Sequence, residues 1–163
     1  SEQFRNHTIK KTYHSIVLGS LNKKEGEIKE KVKKISFFAQ GFSNKSDQEI
    51  LEEIKKATKT RTAELSYRVV KSNKNYSLLE IKPKTGRFHQ IRIQMAELGN
   101  PILGDEKYGG KRANWPGREV GNNKNAIALC ATGLTFKTAT GEKVIDLKIE
   151  LPKDWEKYLS EHR

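Results

Sequence analysis

The sequence has almost no cysteine, no long apolar run and no histidine cluster, and each shortage removes a class of protein. Cys130 is the one cysteine among 163 residues, so a disulfide framework is impossible. Inside the apolar run 126–131 it reads as a reduced, buried thiol, which suits a cytoplasmic protein. No stretch approaches the roughly 18 apolar residues of a bilayer-crossing helix, and the polar first residues contain no signal-peptide core. A membrane partner is therefore not expected. His7, His14, His89 and His162 are scattered along the chain without metal-ligand spacing, and no Walker-type phosphate loop occurs. Neither a metal nor an organic cofactor is expected.

What is abundant is positive charge. The 32 Lys and Arg residues against 20 Asp and Glu give a formal charge of +12 and a pI near 9.7. That balance favours a polyanionic partner held through phosphate contacts, nucleic acid first, with a solvated lysine-rich surface as the plain alternative. The mean hydropathy of −0.79 is polar, yet the apolar residues gather in short runs rather than being diluted through a low-complexity tract. A folded chain follows, and its length suits one domain of about 100–150 residues.

Residues 8–18 collect β-branched and aromatic side chains before Gly19-Ser20, predicting a strand followed by a hairpin-like stretch centred on Gly26. A second strand is expected at 35–39 and a short helix or surface excursion at 46–58. Residues 62–71 and 76–82 read as a strand hairpin closed by Ser72-Asn73-Lys74-Asn75, with Pro83 as its end. From 88 to 98, Phe88, Ile91, Met95 and Leu98 form one helical stripe, and Gly99 and Pro101 stop it. A Gly/Asn/Arg-rich loop spans 109–125. Strands at 126–136 and 143–151 and a short terminal helix with Trp155, Tyr158 and Leu159 complete the chain. The sum is an α+β fold, a mixed and mainly antiparallel sheet with a few helices, incomplete at its N-terminal side, where a sheet edge awaits a preceding segment.

Thr85-Gly86-Arg87-Phe88-His89-Gln90-Ile91-Arg92, then Gly99-Asn100-Pro101-Ile102-Leu103-Gly104-Asp105 and Tyr108-Gly109, resembles the most distinctive block of the RluA-like family of RNA pseudouridine synthases. Lys11-Thr12-Tyr13 resembles that family's Lys-x-Tyr motif, and Ala128-Leu129-Cys130-Ala131 its Leu-His-Ala strand, with Cys130 where histidine is usual. The Cys130 departure reads as a packing variation. The resemblance covers nearly the whole chain in order and implies that residues 1–163 are the C-terminal part of one catalytic domain. The Arg-Leu-Asp motif that supplies the family's catalytic aspartate occurs nowhere in these residues. Asp47, Asp105, Asp146 and Asp154 each have an ordinary reading, as helix cap, Gly-Asp turn, strand residue and helix start. The expectation is an enzyme as the parent protein and an inactive chain in isolation.

Pseudouridine formation breaks the uridine N1–C1′ bond, turns the uracil and rejoins it through C5, on a base extruded from its stack. By resemblance, Arg92 and Tyr13 are the candidate catalytic residues. Arg92 would orient the absent aspartate through bidentate pairing, and Tyr13 would pack on the flipped base and move a proton. Arg92 lies between Phe88 and Met95, where an unpaired charge is costly. Lys11, Arg87, His89, Leu129 and Trp115 are candidate substrate-binding residues: Arg87 and His89 for phosphate at the helix start, Leu129 as pocket wall. Trp115 is expected to stack on an unpaired base among the loop cations Lys107, Lys111, Arg112, Arg118 and Lys124. Plainer readings stand beside these, with Gly86 permitting a turn and His89 or Gln90 bonding a buried backbone group. The expected partner is structured ribosomal or transfer RNA. Oligomeric state is not fixed by the sequence, and a monomer is the default. The rival is a non-catalytic RNA-binding module or degenerate pseudoenzyme, for which the charge speaks equally.

Overall fold

The computed structural model describes residues 9–33, 60–111 and 126–160. Six strands lie within them: β1 (Lys10–Leu18), β2 (Glu25–Lys33), β3 (Thr60–Ser72), β4 (Tyr76–Pro83), β5 (Leu129–Lys137) and β6 (Val144–Lys148). Two helices join them, α1 (Gln90–Glu97) and α2 (Glu156–Leu159), with 3-10 turns at Glu106–Tyr108 and Lys153–Trp155. The strands form one sheet in the order β2-β3-β4-β1-β5-β6, every pairing antiparallel, as the α+β reading requires.

β1 sits near the middle because its second half, Ser15, Ile16 and Val17, is wholly buried. It pairs with β4 on one side and β5 on the other. Leu65, Leu79, Ile81, Met95, Ile102 and Leu103 join Ile16 and Val17 in one buried core. Each such aliphatic side chain contributes roughly 1.5–3 kcal/mol by burial. The β3–β4 hairpin is closed by Asn73, whose Oδ1 accepts from the amides of Asn75 at 3.0 Å and Tyr76 at 2.9 Å, an Asx turn that predisposes the chain to reverse.

Three expectations change. The stretch centred on Gly26 is strand β2 itself, and the reversal lies earlier, between Leu18 and Glu25. The alternation of Gly26, Ile28 and Glu30 facing inward with charged Glu25, Glu27 and Lys29 facing out is a strand period that the Lys/Glu density hid. Second, α1 begins at Gln90: His89 takes a left-handed backbone, φ 49, which turns Phe88 off the helix and leaves it 55% exposed. Its buried face is Gln90, Ile91, Gln94 and Met95 rather than the proposed stripe, and Leu98 is also exposed. Third, β6 is shorter than expected. The strand expected at 35–39 and the helix at 46–58 lie outside the described residues, as does most of the loop 109–125.

The segment after α1 is stitched to the sheet rather than looped over it. Leu18 N donates to Pro101 O at 2.9 Å, Leu103 N to Ile16 O at 2.9 Å and Ala128 N to Leu103 O at 2.8 Å. Those bonds carry residues 101–105 along the end of β1 and hold Asp105 against α1.

Candidate active site

Tyr13 reaches the site through a fault in the β1–β5 ladder. Thr12 stands opposite Gly133 and Tyr13 opposite Ala131, so Thr132 has no partner of its own, a bulge of the kind that re-aims side chains beside active sites. The Thr132 hydroxyl turns to His14 Nδ1 at 2.6 Å. Lys11 and Tyr13 then line one cleft of about 490 Å³ with Pro83, Thr85, Arg87, His89, Arg92 and Leu129. Volumes of this order accommodate a nucleoside-sized ligand.

The floor of the cleft is held by Gln90, which is almost fully buried. Its Oε1 accepts from Thr85 Oγ1 at 2.7 Å and from Arg87 N at 3.0 Å, and its Nε2 donates to Glu64 O at 3.0 Å. The backbone-bonding role anticipated for His89 or Gln90 belongs to Gln90. Arg87 donates from Nε to Thr62 O at 3.1 Å, which fixes its stem while it lines the cleft.

Arg92, expected to face a carboxylate from outside these residues, already holds one from within them. Its Nε donates to Asp105 Oδ2 and its Nη2 to Asp105 Oδ1, both at 2.7 Å. Asp105 is 1% exposed, so each charge relieves the desolvation of the other; the Asp105 hydrogen bond pushes the Arg92 guanidinium up from its ordinary value. Nη1 lies 3.0 Å from His89 Nε2, and His89 Nδ1 lies 2.9 Å from Tyr108 Oη. Burial first, then the Arg92 and Lys107 charges, lower the His89 imidazole below its ordinary 6.5. Burial also pushes the Tyr108 phenol up.

Six of the seven candidate site residues thus come together: Lys11, Tyr13, Arg87, His89, Arg92 and Leu129 all line the cleft. Trp115 lies outside the described residues. Cys130, next to Leu129, packs against the core instead of lining the cleft. Sequence reasoning missed the Asp105 side chain, read as a turn residue, together with Tyr108. The signal was present in Asp105 lying between Ile102-Leu103 and two later glycines, a buried setting in which a carboxylate needs a cation.

Among the described residues no group of three or more His, Cys, Asp or Glu side chains is placed to hold a metal ion, and no helix is long and apolar enough to cross a membrane.

Comparison with known proteins identifies the family and the fold. A family model described as RNA pseudouridylate synthase matches residues 1–97. A tRNA pseudouridine synthase C from Vibrio cholerae is 33% identical over 97% of this chain and 64% of its own length. A ribosomal large subunit pseudouridine synthase D from Borreliella burgdorferi is 36% identical over 67% of this chain and 30% of its own. An uncharacterized RNA pseudouridine synthase from Chlorobaculum parvum is 29% identical over all of this chain, which spans half of that relative. The solved structure of human RNA pseudouridylate synthase domain containing 1 superposes with a TM-score of 0.66 at 20% identity, covering 98% of this chain and 60% of that one; this likeness speaks for the fold alone. The chain therefore spans less than two thirds of the length of each of these proteins. With the family model matching more than half of its residues, the chain belongs to the RNA pseudouridylate synthase family, among the RluA-like members.

Proposed function

We propose that the protein containing this chain isomerises uridine to pseudouridine in structured RNA, ribosomal or transfer, and that these residues furnish one side of its active site. The observation that carries the reading is the meeting of Tyr13 and Arg92 in one cleft, although 79 residues of sequence separate them. The Tyr13 ring packs on the extruded uracil, Leu129 supplies the dry wall, and Lys11 and Arg87 meet the phosphates flanking the flipped nucleotide.

The nucleophilic aspartate comes from outside these 163 residues, because the Arg-Leu-Asp motif is not among them. Arg92 orients it. Two of the five guanidinium donors are committed to Asp105, and those that remain suffice for a second carboxylate in bidentate contact. The reaction breaks the N1–C1′ bond and forms a C5–C1′ bond, the proton lost from C5 being balanced by the one gained at the freed N1, with Tyr13 the nearby acid-base group. Atoms and electrons balance within the nucleotide, so the chemistry needs no cofactor. Work on RNA in the cytoplasm, where Cys130 stays reduced, completes the reading.

Incubating the full-length protein and the isolated 163-residue chain with ribosomal and transfer RNA, followed by chemical mapping, tests both halves. Pseudouridine is expected from the full-length protein only. Its formation by the isolated chain would remove the need for an outside aspartate. Salt-sensitive RNA binding by a full-length protein that makes no pseudouridine would support the RNA-binding module instead.

A further inference from the structure

Arg92 is oriented by side chains to which the sequence motif gave no such task. Asp105 occupies the Nε–Nη2 edge of the guanidinium in a bidentate pair. On the third nitrogen, Nη1 meets His89 Nε2 at 3.0 Å. Nδ1 of the same ring lies 3.5 Å from Nη1, so the guanidinium nitrogen sits over the imidazole face rather than on the lone pair of one ring nitrogen. His89 Nδ1 in turn lies 2.9 Å from Tyr108 Oη, a contact that ties the ring to the 3-10 turn. The Tyr108 ring stands 4.9 Å from Arg92 Cζ and edge-on to the imidazole, so it also contacts the cation.

The backbone is shaped to this end. His89 is the one non-glycine residue with positive φ among those described, and such a conformation costs of order 1–3 kcal/mol. The Asp105 turn is pinched by Gly104 and Gly110: a Cβ on Gly104, at φ 87, would strike Ala126 O, and one on Gly110 would strike Ile102 O.

We propose that Asp105, His89 and Tyr108 are positioning residues for Arg92: Asp105 locks one edge, the His89 ring backs Nη1, and Tyr108 holds that ring in place. The unoccupied donors of Arg92 are thereby aimed into the cleft at the incoming carboxylate. This inference rests on the pseudouridine synthase reading and names how that site is held. None of the three residues has to touch RNA to act, and Asp105, at 1% exposure, has no surface with which to do so.

The test uses the full-length protein and its Asp105→Asn and His89→Ala variants, with kcat and KM measured on RNA for folded, concentration-matched enzyme. Asp105→Asn keeps the shape and removes the charge. We expect kcat to fall at least tenfold with KM changed less than twofold, and His89→Ala to show the same split. Unchanged kcat in folded Asp105→Asn would overturn the proposal, as would a loss confined to thermal stability. Side-chain 15N spectra of the wild-type protein give a readout independent of activity: the Arg92 Nε–H, held by Asp105, should exchange slowly with water. Exchange as fast as that of an exposed arginine would overturn the proposal even where Asp105→Asn does not fold. Wild-type protein that makes no pseudouridine yet shows the protected Arg92 Nε–H would refute the enzymatic reading while leaving the geometry of Arg92 as described.

Discussion

Gln90 joins Thr85 to β3: one amide oxygen takes the Thr85 hydroxyl at 2.7 Å while the amide nitrogen reaches Glu64 O at 3.0 Å. Residues 84–87 are therefore pinned to the sheet from below, and the cleft keeps its floor without help from a ligand. Replacing Gln90 with Leu keeps the bulk and leaves Arg87 N and the Glu64 carbonyl without this partner. The expected loss is about 1–3 kcal/mol in urea unfolding, with a raised KM for RNA as Arg87 drifts.

Acid should weaken the fold as its two lowered histidines take up protons. The His89 imidazole is held below 6.5 by burial, then by Arg92 and Lys107, with Asp105 opposing them. Between its folded and unfolded values the unfolded chain binds more protons, so this stability is present above about 6.5 and is lost as pH falls through the folded value. His14, lowered chiefly by burial, adds a loss of the same sign. Unfolding free energy followed from pH 8 to 5 should decline, and His89→Gln should flatten the decline; an unchanged slope would argue against the Arg92 contact.

Glu30 carries the opposite sign. Burial, then hydrogen bonding and charge from Glu97, raise its carboxyl above the ordinary 4.5. The stabilisation from its protonated form is present below about 4.5 and is lost as pH rises through the folded value. Glu30→Gln should therefore raise Tm at pH 7.5 and leave it unchanged near pH 4, as scanning calorimetry would show.

Gly104→Ala should be among the most damaging single-methyl additions. It combines a left-handed φ with a strike on the Ala126 carbonyl, and the backbone cost alone is about 1–3 kcal/mol. Calorimetry on the variant should show a lower Tm and, because Asp105 follows directly, weakened activity in the fraction that stays folded.

The sheet was legible where side chains alternate or cluster cleanly. Residues 62–71 and 76–82 match β3 and β4 because Leu78, Leu79 and Ile81 carry an unmistakable buried run and Asn73 marks the turn. β2 was hidden because Gly26 and Ile28, its inward small and apolar residues, are outnumbered by charge. The start of α1 was missed because nothing in the letters Phe88-His89 announces a left-handed residue; that conformation is tied to the contacts His89 makes with Tyr108 and Arg92. The site was legible as a motif and silent as geometry. Arg92 and Tyr13 were found by resemblance, whereas the partner of Arg92 is set by the stitching of residues 101–105 to β1 and Ala128, a long-range arrangement that spacing along the chain does not encode.

Whether this cleft is a uridine site is decided by mapping pseudouridine in transfer and ribosomal RNA treated with the full-length protein and with its Arg92→Lys variant. A lysine keeps the charge but not the fork that grips Asp105 and a second carboxylate at once. Modification at defined uridines by the wild-type protein, reduced at least a hundredfold by Arg92→Lys with RNA still bound, is the predicted result. Undiminished modification by Arg92→Lys would contradict it.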